Sequence, residues 1–108
     1  MRRGELWTVA GDVHASKPRP ALILQEDRFD ATDSVTVVPL TTTARSAPLL
    51  RPALPAGGTS GLSQDSYLMI DKITTVRRLH LGQRVGTLDA RRLLEVERAV
   101  MVFLGMAG

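Results

Sequence analysis

Apolar and polar positions along this chain alternate in short bursts, and only one stretch near the C-terminus carries a helical repeat. Glu5-Leu6-Trp7-Thr8-Val9-Ala10 alternates in part and is rich in strand-favouring residues, and Gly11-Asp12 closes it as a turn. Residues 11–20 read as a polar loop containing two prolines. The second strand is Ala21 to Gln25, whose four continuous apolar residues are too few for a stable helix and too continuous for a surface strand. A polar connection over 26–33 ends in the turn signal Asp33-Ser34, and Val35-Thr36-Val37-Val38-Pro39-Leu40 is the third strand. Its proline predicts an edge position, a bulge or the strand end, because proline brings no N–H to a ladder. Residues 49–55, proline-rich and extended, predict a short outer strand, followed by a glycine-rich loop over 56–61. Ser66 to Ile70 is a buried strand; Ile73 to Val76 either continues it after a kink near Asp71-Lys72 or begins a separate element. Gln83 to Thr87 is the last strand, where Gly86 marks a bulge or a close backbone approach.

The helix begins at Asp89, a good N-cap, with Leu88 placed to staple onto Leu93. Leu93, Val96, Val100 and Phe103 recur at helical spacing, Leu94, Met101 and Leu104 widen the stripe, and Gly105 ends it. Five to seven short strands and then one amphipathic helix predict a mainly β fold with a C-terminal α-helix. Such a chain forms a strongly curved sheet or small barrel with the helix packed on one side. Trp7 and Phe103 are expected in the core. At 108 residues one domain over 1–108 is expected.

Composition narrows the chemistry. There is no cysteine, which rules out disulfides and thiolate metal sites and fits a reducing cytoplasm. The two histidines, His14 and His80, stand far apart with no ligand spacing around them, which argues against zinc. No apolar run approaches the roughly 20 residues that cross a bilayer, and no signal-peptide core follows Met1-Arg2-Arg3-Gly4-Glu5. A formal charge of +3 tilts the chain towards anionic partners, and nucleic acid is the obvious candidate.

Lys17-Pro18-Arg19-Pro20 then stands out. Its prolines restrict the backbone on both sides of Arg19, so a cation is held stiffly at the mouth of a buried strand. Protection of an edge strand would explain the prolines equally well. Thr41-Thr42-Thr43 follow the third strand directly. If the second and third strands are antiparallel neighbours, Arg19 and these hydroxyls meet on one rim, a donor set suited to phosphate. A threonine run that merely satisfies a strand end is the plainer alternative. Lys17, Arg45, Lys72, Arg77 and Arg78 also fall in loops or at element ends, where a groove tracking a nucleic-acid backbone would be built. Arg91, Arg92 and Arg98 read as a solvated helix face. Gly57-Gly58-Thr59-Ser60-Gly61 lacks the Gly-Lys-Ser/Thr ending of a phosphate loop, and Ser63-Gln64-Asp65-Ser66 has no histidine in triad context. Trp7, Phe29, Tyr67 and Phe103 are the full aromatic set, too few for a stacking platform of the OB-fold kind. His14 reads as a surface loop residue and His80 as partly buried filler.

The order of motifs is similar to that of the MazF/PemK toxins. Arg3-Gly4-Glu5-Leu6-Trp7, Arg19-Pro20-Ala21-Leu22-Ile23, Val38-Pro39-Leu40-Thr41-Thr42 and Gly61-Leu62-Ser63-Gln64-Asp65-Ser66 carry the resemblance. Asp71-Lys72-Ile73, Leu81-Gly82, Arg84-Val85-Gly86 and Phe103-Leu104-Gly105 extend it over nearly the whole chain. It implies an SH3-like barrel with a C-terminal helix and a homodimer. It also implies a metal-independent, cofactor-free endoribonuclease that cuts single-stranded RNA, with a 2′-hydroxyl attacking to leave a 2′,3′-cyclic phosphate and a 5′-hydroxyl. The family's functional arginine and threonine map onto Arg19 and Thr41, and a cognate antitoxin with an acidic, disordered tail is the implied partner. Two features depart from the pattern. Lys72 and Thr74 stand where many members carry glutamine and arginine, and the loop before Arg19 is shorter than in many. The alternatives are a CcdB-like gyrase inhibitor, which would need a C-terminal tryptophan where this chain ends Leu104-Gly105-Met106-Ala107-Gly108, and an RNA-binding barrel that no longer cuts.

Overall fold

The computed structural model describes residues 1–10 and 17–107. Most of the loop over 11–20, the turn expected at Gly11-Asp12 and His14 therefore lie outside the described residues. Seven strands, β1 (Glu5–Val9), β2 (Arg19–Ile23), β3 (Ser34–Thr41), β4 (Ala53–Leu54), β5 (Ser66–Leu68), β6 (Thr74–Arg77) and β7 (Leu81–Thr87), precede one helix, α1 (Ala90–Phe103). The strands curl into a single sheet ordered β4-β5-β3-β2-β1-β7, with β6 beside the first half of β3. The outer strand expected over 49–55 shrinks to two residues. The Leu50 and Arg51 amides turn back to the Ala47 carbonyl, and Pro52 and Pro55 offer no N–H. The kink near Asp71-Lys72 is present as a short 3-10 turn over Ile70–Lys72, which makes β6 a separate element.

β3 is the centre of the sheet, so Pro39 occupies none of the three positions that its lack of an N–H predicts. Its first half pairs with β6, from Ser34 opposite Arg77 to Val37 opposite Thr74. Its end pairs with β5, Leu40 opposite Leu68 and Thr41 opposite Tyr67. Pro39 falls where the partner changes. Its carbonyl accepts the Met69 N–H at 2.9 Å, so a Pro39 N–H would have faced the same kinked junction. Nothing is lost there by having no donor.

The continuous apolar run of β2 is explained by burial on both faces. Leu6, Leu22, Val38 and Leu40 point into the main core, which Ile70, Leu88 and Val96 complete. Ala21, Ile23, Val35 and Val37 point the other way, into a second cluster with Trp7, Val9, Val76 and Leu81. A buried leucine or valine is worth about 1.5–3 kcal/mol, so the β2–β3 pair is held by apolar burial on both of its faces. The sheet is drawn closed by two glycines. A Cβ on Gly86 would lie 2.2 Å from the Ser60 carbonyl, and one on Gly61 (φ +66°) 2.1 Å from the Val85 carbonyl. Only hydrogen at both positions lets the glycine-rich loop touch β7. The register against β1 also slips here, so the expected bulge and the expected close approach are both present.

Helix α1 starts as expected: the Asp89 carboxylate accepts the Arg92 N–H at 2.8 Å, and Leu88 and Leu93 share the main core. It ends in a left-handed cap, with Gly105 at φ +75° and the Met106 N–H reaching the Met101 carbonyl. The apolar stripe does not stay buried throughout. Leu93, Val96, Ala99 and Val100 meet the core, but no core residue lies beyond Val100, and Phe103 is left 45% exposed together with Met101 and Leu104. Phe103 is thus not the core residue its spacing predicts. Trp7 is half-buried in the second cluster, its indole N–H donating to Glu5.

Candidate active site

β2 and β3 are antiparallel, Ala21 opposite Pro39 and Ile23 opposite Val37. Continuing that register by two residues sets Arg19 across from Thr41. The start of one strand and the end of the next therefore bring a guanidinium and a hydroxyl to the same rim. There they border a groove of about 390 Å³, with Lys17 and Thr42 on the near side and Ser63, Gln64 and Ser66 on the far side. Leu62 and Ser66 are buried and pin the far wall.

Among the described residues, the Ser66 hydroxyl of this groove donates to the Gln64 carbonyl at 3.0 Å, whereas Thr41 keeps its proton free. Thr41 Oγ1 accepts the Thr43 N–H at 3.2 Å, which orients the hydroxyl and leaves its proton to donate outward. Thr43 thus contributes a backbone amide rather than a side chain. Among the described residues no carboxylate pairs with Lys17 or Arg19. Among the described residues, no carboxylate or imidazole lines the groove. What it offers is positive charge and hydroxyl donors, which suits binding an oxyanion and stabilising charge that develops on it.

The remaining cations divide. Arg45 is exposed in the loop past Thr43, and Lys72 is exposed on the turn after β5; neither lines the groove. Arg77 and Arg78 are not gathered there. Arg77 lies opposite Ser34, at the other end of β3 from Thr41, on the order of 20 Å away at roughly 3.3 Å per residue. The Arg78 guanidinium is spent on the Phe29 and Thr32 carbonyls, where it ties down the connection between β2 and β3. Loop position alone could not show which end of the sheet an arginine would reach.

Two of the ion pairs among the described residues shift the acidity of their carboxyl groups. Arg51 is buried and forks onto Asp71, Nε to Oδ1 at 2.9 Å and Nη2 to Oδ2 at 3.1 Å. The fork holds the Asp71 carboxyl below its ordinary range and raises Arg51. It fastens the 3-10 turn between β5 and β6 to the segment before β4. Partial burial pushes the Glu5 carboxyl up, but the Trp7 indole N–H, the Arg2 amide and Arg84 together outweigh it and hold the group low. The sequence gives no sign of the Arg51–Asp71 fork, since its partners are twenty residues apart and Arg51 belongs to no recognisable motif. The far wall was visible only as the series Gly61-Leu62-Ser63-Gln64, with no indication that it faces Arg19.

A curled half-barrel with a terminal helix, carrying a groove of cations and hydroxyls at the mouth of its central strands, defines a small β-protein whose donor set suits an oxyanion. Residues 2–104 match the sequence profile of the PemK-like, MazF-like toxins of type II toxin-antitoxin systems. The chain belongs to that family. It is 53% identical to the probable endoribonuclease MazF of Mycolicibacterium smegmatis over the whole of both chains. It is 32% identical to the endoribonuclease MazF6 of Mycobacterium tuberculosis over 93% of each. Among solved structures it superposes on the Mycobacterium tuberculosis toxin MazF-mt6 with a TM-score of 0.82, at 27% identity, covering 96% of this chain and 99% of that one. It also matches a mycobacterial endoribonuclease in complex with its cognate antitoxin, with a TM-score of 0.79 at 26% identity, covering 100% and 98%.

Proposed function

We propose that this toxin is a metal-independent, sequence-specific endoribonuclease that cleaves single-stranded RNA, and that it stops growth by destroying translatable RNA. The observation that carries the reading is the placement of Arg19 opposite Thr41 on one groove. The reaction is an internal transesterification. The 2′-oxygen of the nucleotide before the cut forms a bond to phosphorus as its proton departs, and the bond from phosphorus to the 5′-oxygen breaks. That oxygen takes up a proton, which leaves a 2′,3′-cyclic phosphate on one fragment and a 5′-hydroxyl on the other. Arg19 stabilises the extra charge of the five-coordinate phosphorus, and the Thr41 hydroxyl donates to a non-bridging oxygen. Lys17 and Thr42 grip the flanking phosphates, and Arg45 and Lys72 extend the cationic track beyond the groove. DNA is untouched because it has no 2′-hydroxyl to attack.

The same groove explains neutralisation. An antitoxin with an acidic, disordered segment would order across Lys17 and Arg19 and exclude RNA without altering the chemistry. The toxin acts as a homodimer in the cytoplasm, and the gyrase-inhibitor alternative is not carried forward. The decisive experiment incubates the protein in excess EDTA with a long single-stranded RNA and DNA of the same sequence, beside an Arg19→Ala/Thr41→Ala double variant. Discrete RNA cuts with cyclic-phosphate ends, intact DNA and a folded but silent variant are expected. Equal cutting by the variant, or loss of cutting in EDTA, would overturn the assignment.

A further inference from the structure

Leu68 and Ile70 are both buried in the main core, so Met69 between them turns to the opposite face of the sheet. Its backbone is held at both ends: the N–H donates to the Pro39 carbonyl at 2.9 Å, and the carbonyl accepts the Lys72 N–H at 2.9 Å. On that face the half-buried Met69 borders a cavity of about 190 Å³, whose other walls include Val37, Pro39 and Val76. Lys17 and Arg19 stand on this cavity and also on the groove that holds the phosphate. The chain has no cysteine and four methionines, of which Met1, Met101 and Met106 are exposed and border neither cavity. Met69 therefore carries the one sulfur placed beside the cations of the site.

From this placement, and resting on the ribonuclease reading above, we infer that Met69 is a redox switch: oxidation of its thioether to the sulfoxide turns cleavage off, and reduction restores it. A peroxide carries the step. The sulfur lone pair attacks one peroxide oxygen, the S–O bond forms as the O–O bond breaks, and the departing oxygen takes up the proton. Sulfur gives up two electrons and the peroxide gains them, so thioether and hydrogen peroxide become sulfoxide and water. The product puts a strong acceptor where the thioether offered almost none. In a largely apolar recess that oxygen must find a donor, because a buried acceptor left unpaired is costly. The side-chain donors bordering the recess are the Lys17 ammonium, the Arg19 guanidinium and the Thr74 hydroxyl. A charged donor makes the stronger bond, which favours the two cations over Thr74. Among the described residues no carboxylate holds Arg19 on the groove side. The sulfoxide therefore draws the guanidinium towards the recess and away from the phosphorus it serves.

The test exposes the full chain to hydrogen peroxide, locates the added oxygen by peptide mass spectrometry and follows single-turnover cleavage of RNA. Wild type, Met69→Leu and Met101→Leu/Met106→Leu are compared, with circular dichroism on every sample before and after exposure. In wild type and in Met101→Leu/Met106→Leu, cleavage should fall by about tenfold or more in step with Met69 sulfoxide, with the fold unchanged. Methionine sulfoxide reductases A and B should then restore it. Met69→Leu should hold its own starting rate through the same exposure. Complete oxidation of Met69 with undiminished cleavage would overturn the switch, and so would an equal loss in Met69→Leu. Loss of cleavage only together with loss of fold would overturn it too, as would a Met69 that stays reduced while the exposed Met1, Met101 and Met106 are oxidised. If Met69→Leu is silent from the outset, the correlation between sulfoxide and lost cleavage in Met101→Leu/Met106→Leu decides alone. Failure of untreated wild type to cut any RNA would instead refute the ribonuclease reading, and the switch would fall with it.

Discussion

Replacing Arg19 by lysine is the sharpest test of how the groove works, because charge is kept while the planar fork is lost. Arg19 leaves a backbone restrained by Pro18 and Pro20 and lies across from Thr41, so the root of its side chain is fixed before RNA arrives. A preorganised donor aimed at developing charge is worth about 10²–10³ in rate. Arg19→Ala should therefore lose about a thousandfold in the cleavage step. Lysine offers one compact ammonium in place of two parallel N–H donors, so Arg19→Lys should recover at most about a tenth of the loss. Thr41→Val, which preserves shape and removes the hydroxyl, should lose about a hundredfold. Since both side chains serve one phosphorus, the double variant should lose less than the product of the single losses. Single-turnover cleavage of a short RNA with enzyme in excess isolates the chemical step, and a parallel binding titration shows whether the ground state is affected. Arg19→Lys cutting at the wild-type rate would refute the argument, since a point charge at that place would then suffice. Strict multiplicativity would equally refute the shared phosphate.

Lys17→Ala should raise KM with little change in kcat and flatten the salt dependence of RNA binding by about one phosphate contact, read from a log–log plot of affinity against salt. The Arg51–Asp71 fork should make stability depend on acidity. The folded-state pKa of Asp71 lies below its unfolded value, so the contribution is present above the ordinary carboxylate pKa and fades as pH falls through the depressed one. Urea melts across the acid range should show that slope in wild type and a shallower one in Asp71→Asn, which should be less stable near neutrality and converge on wild type as pH falls. Gly86→Ala drives a Cβ into the Ser60 carbonyl and should cost about 1–3 kcal/mol by urea unfolding; a neutral result would mean that the glycine loop is free to back away from β7.

How far the sequence reaches can be seen by comparing Arg19 with Arg78. Both stand at element ends in cation-rich stretches, and only one belongs to the groove. The difference is strand register. Continuous apolar residues in β2 and apolar residues on both faces of β3 call for burial of the two strands side by side, and sequence neighbours joined by a polar connection favour antiparallel pairing. From that much, the meeting of Arg19 and Thr41 could be read in advance. β6 is different, because its place is decided by the turn over Ile70–Lys72 that turns the chain from one half of β3 to the other. The turn is secured by Arg51, a contact that no local pattern announces. The same turn puts Arg77 opposite Ser34, at the other end of β3 from Thr41. Phe103 failed for a related reason: helical spacing tells which face a residue occupies and not how far the sheet extends beneath it. Local periodicity therefore brought Arg19 and Thr41 together, whereas the placing of β6 depends on a long-range ion pair and became visible only in three dimensions.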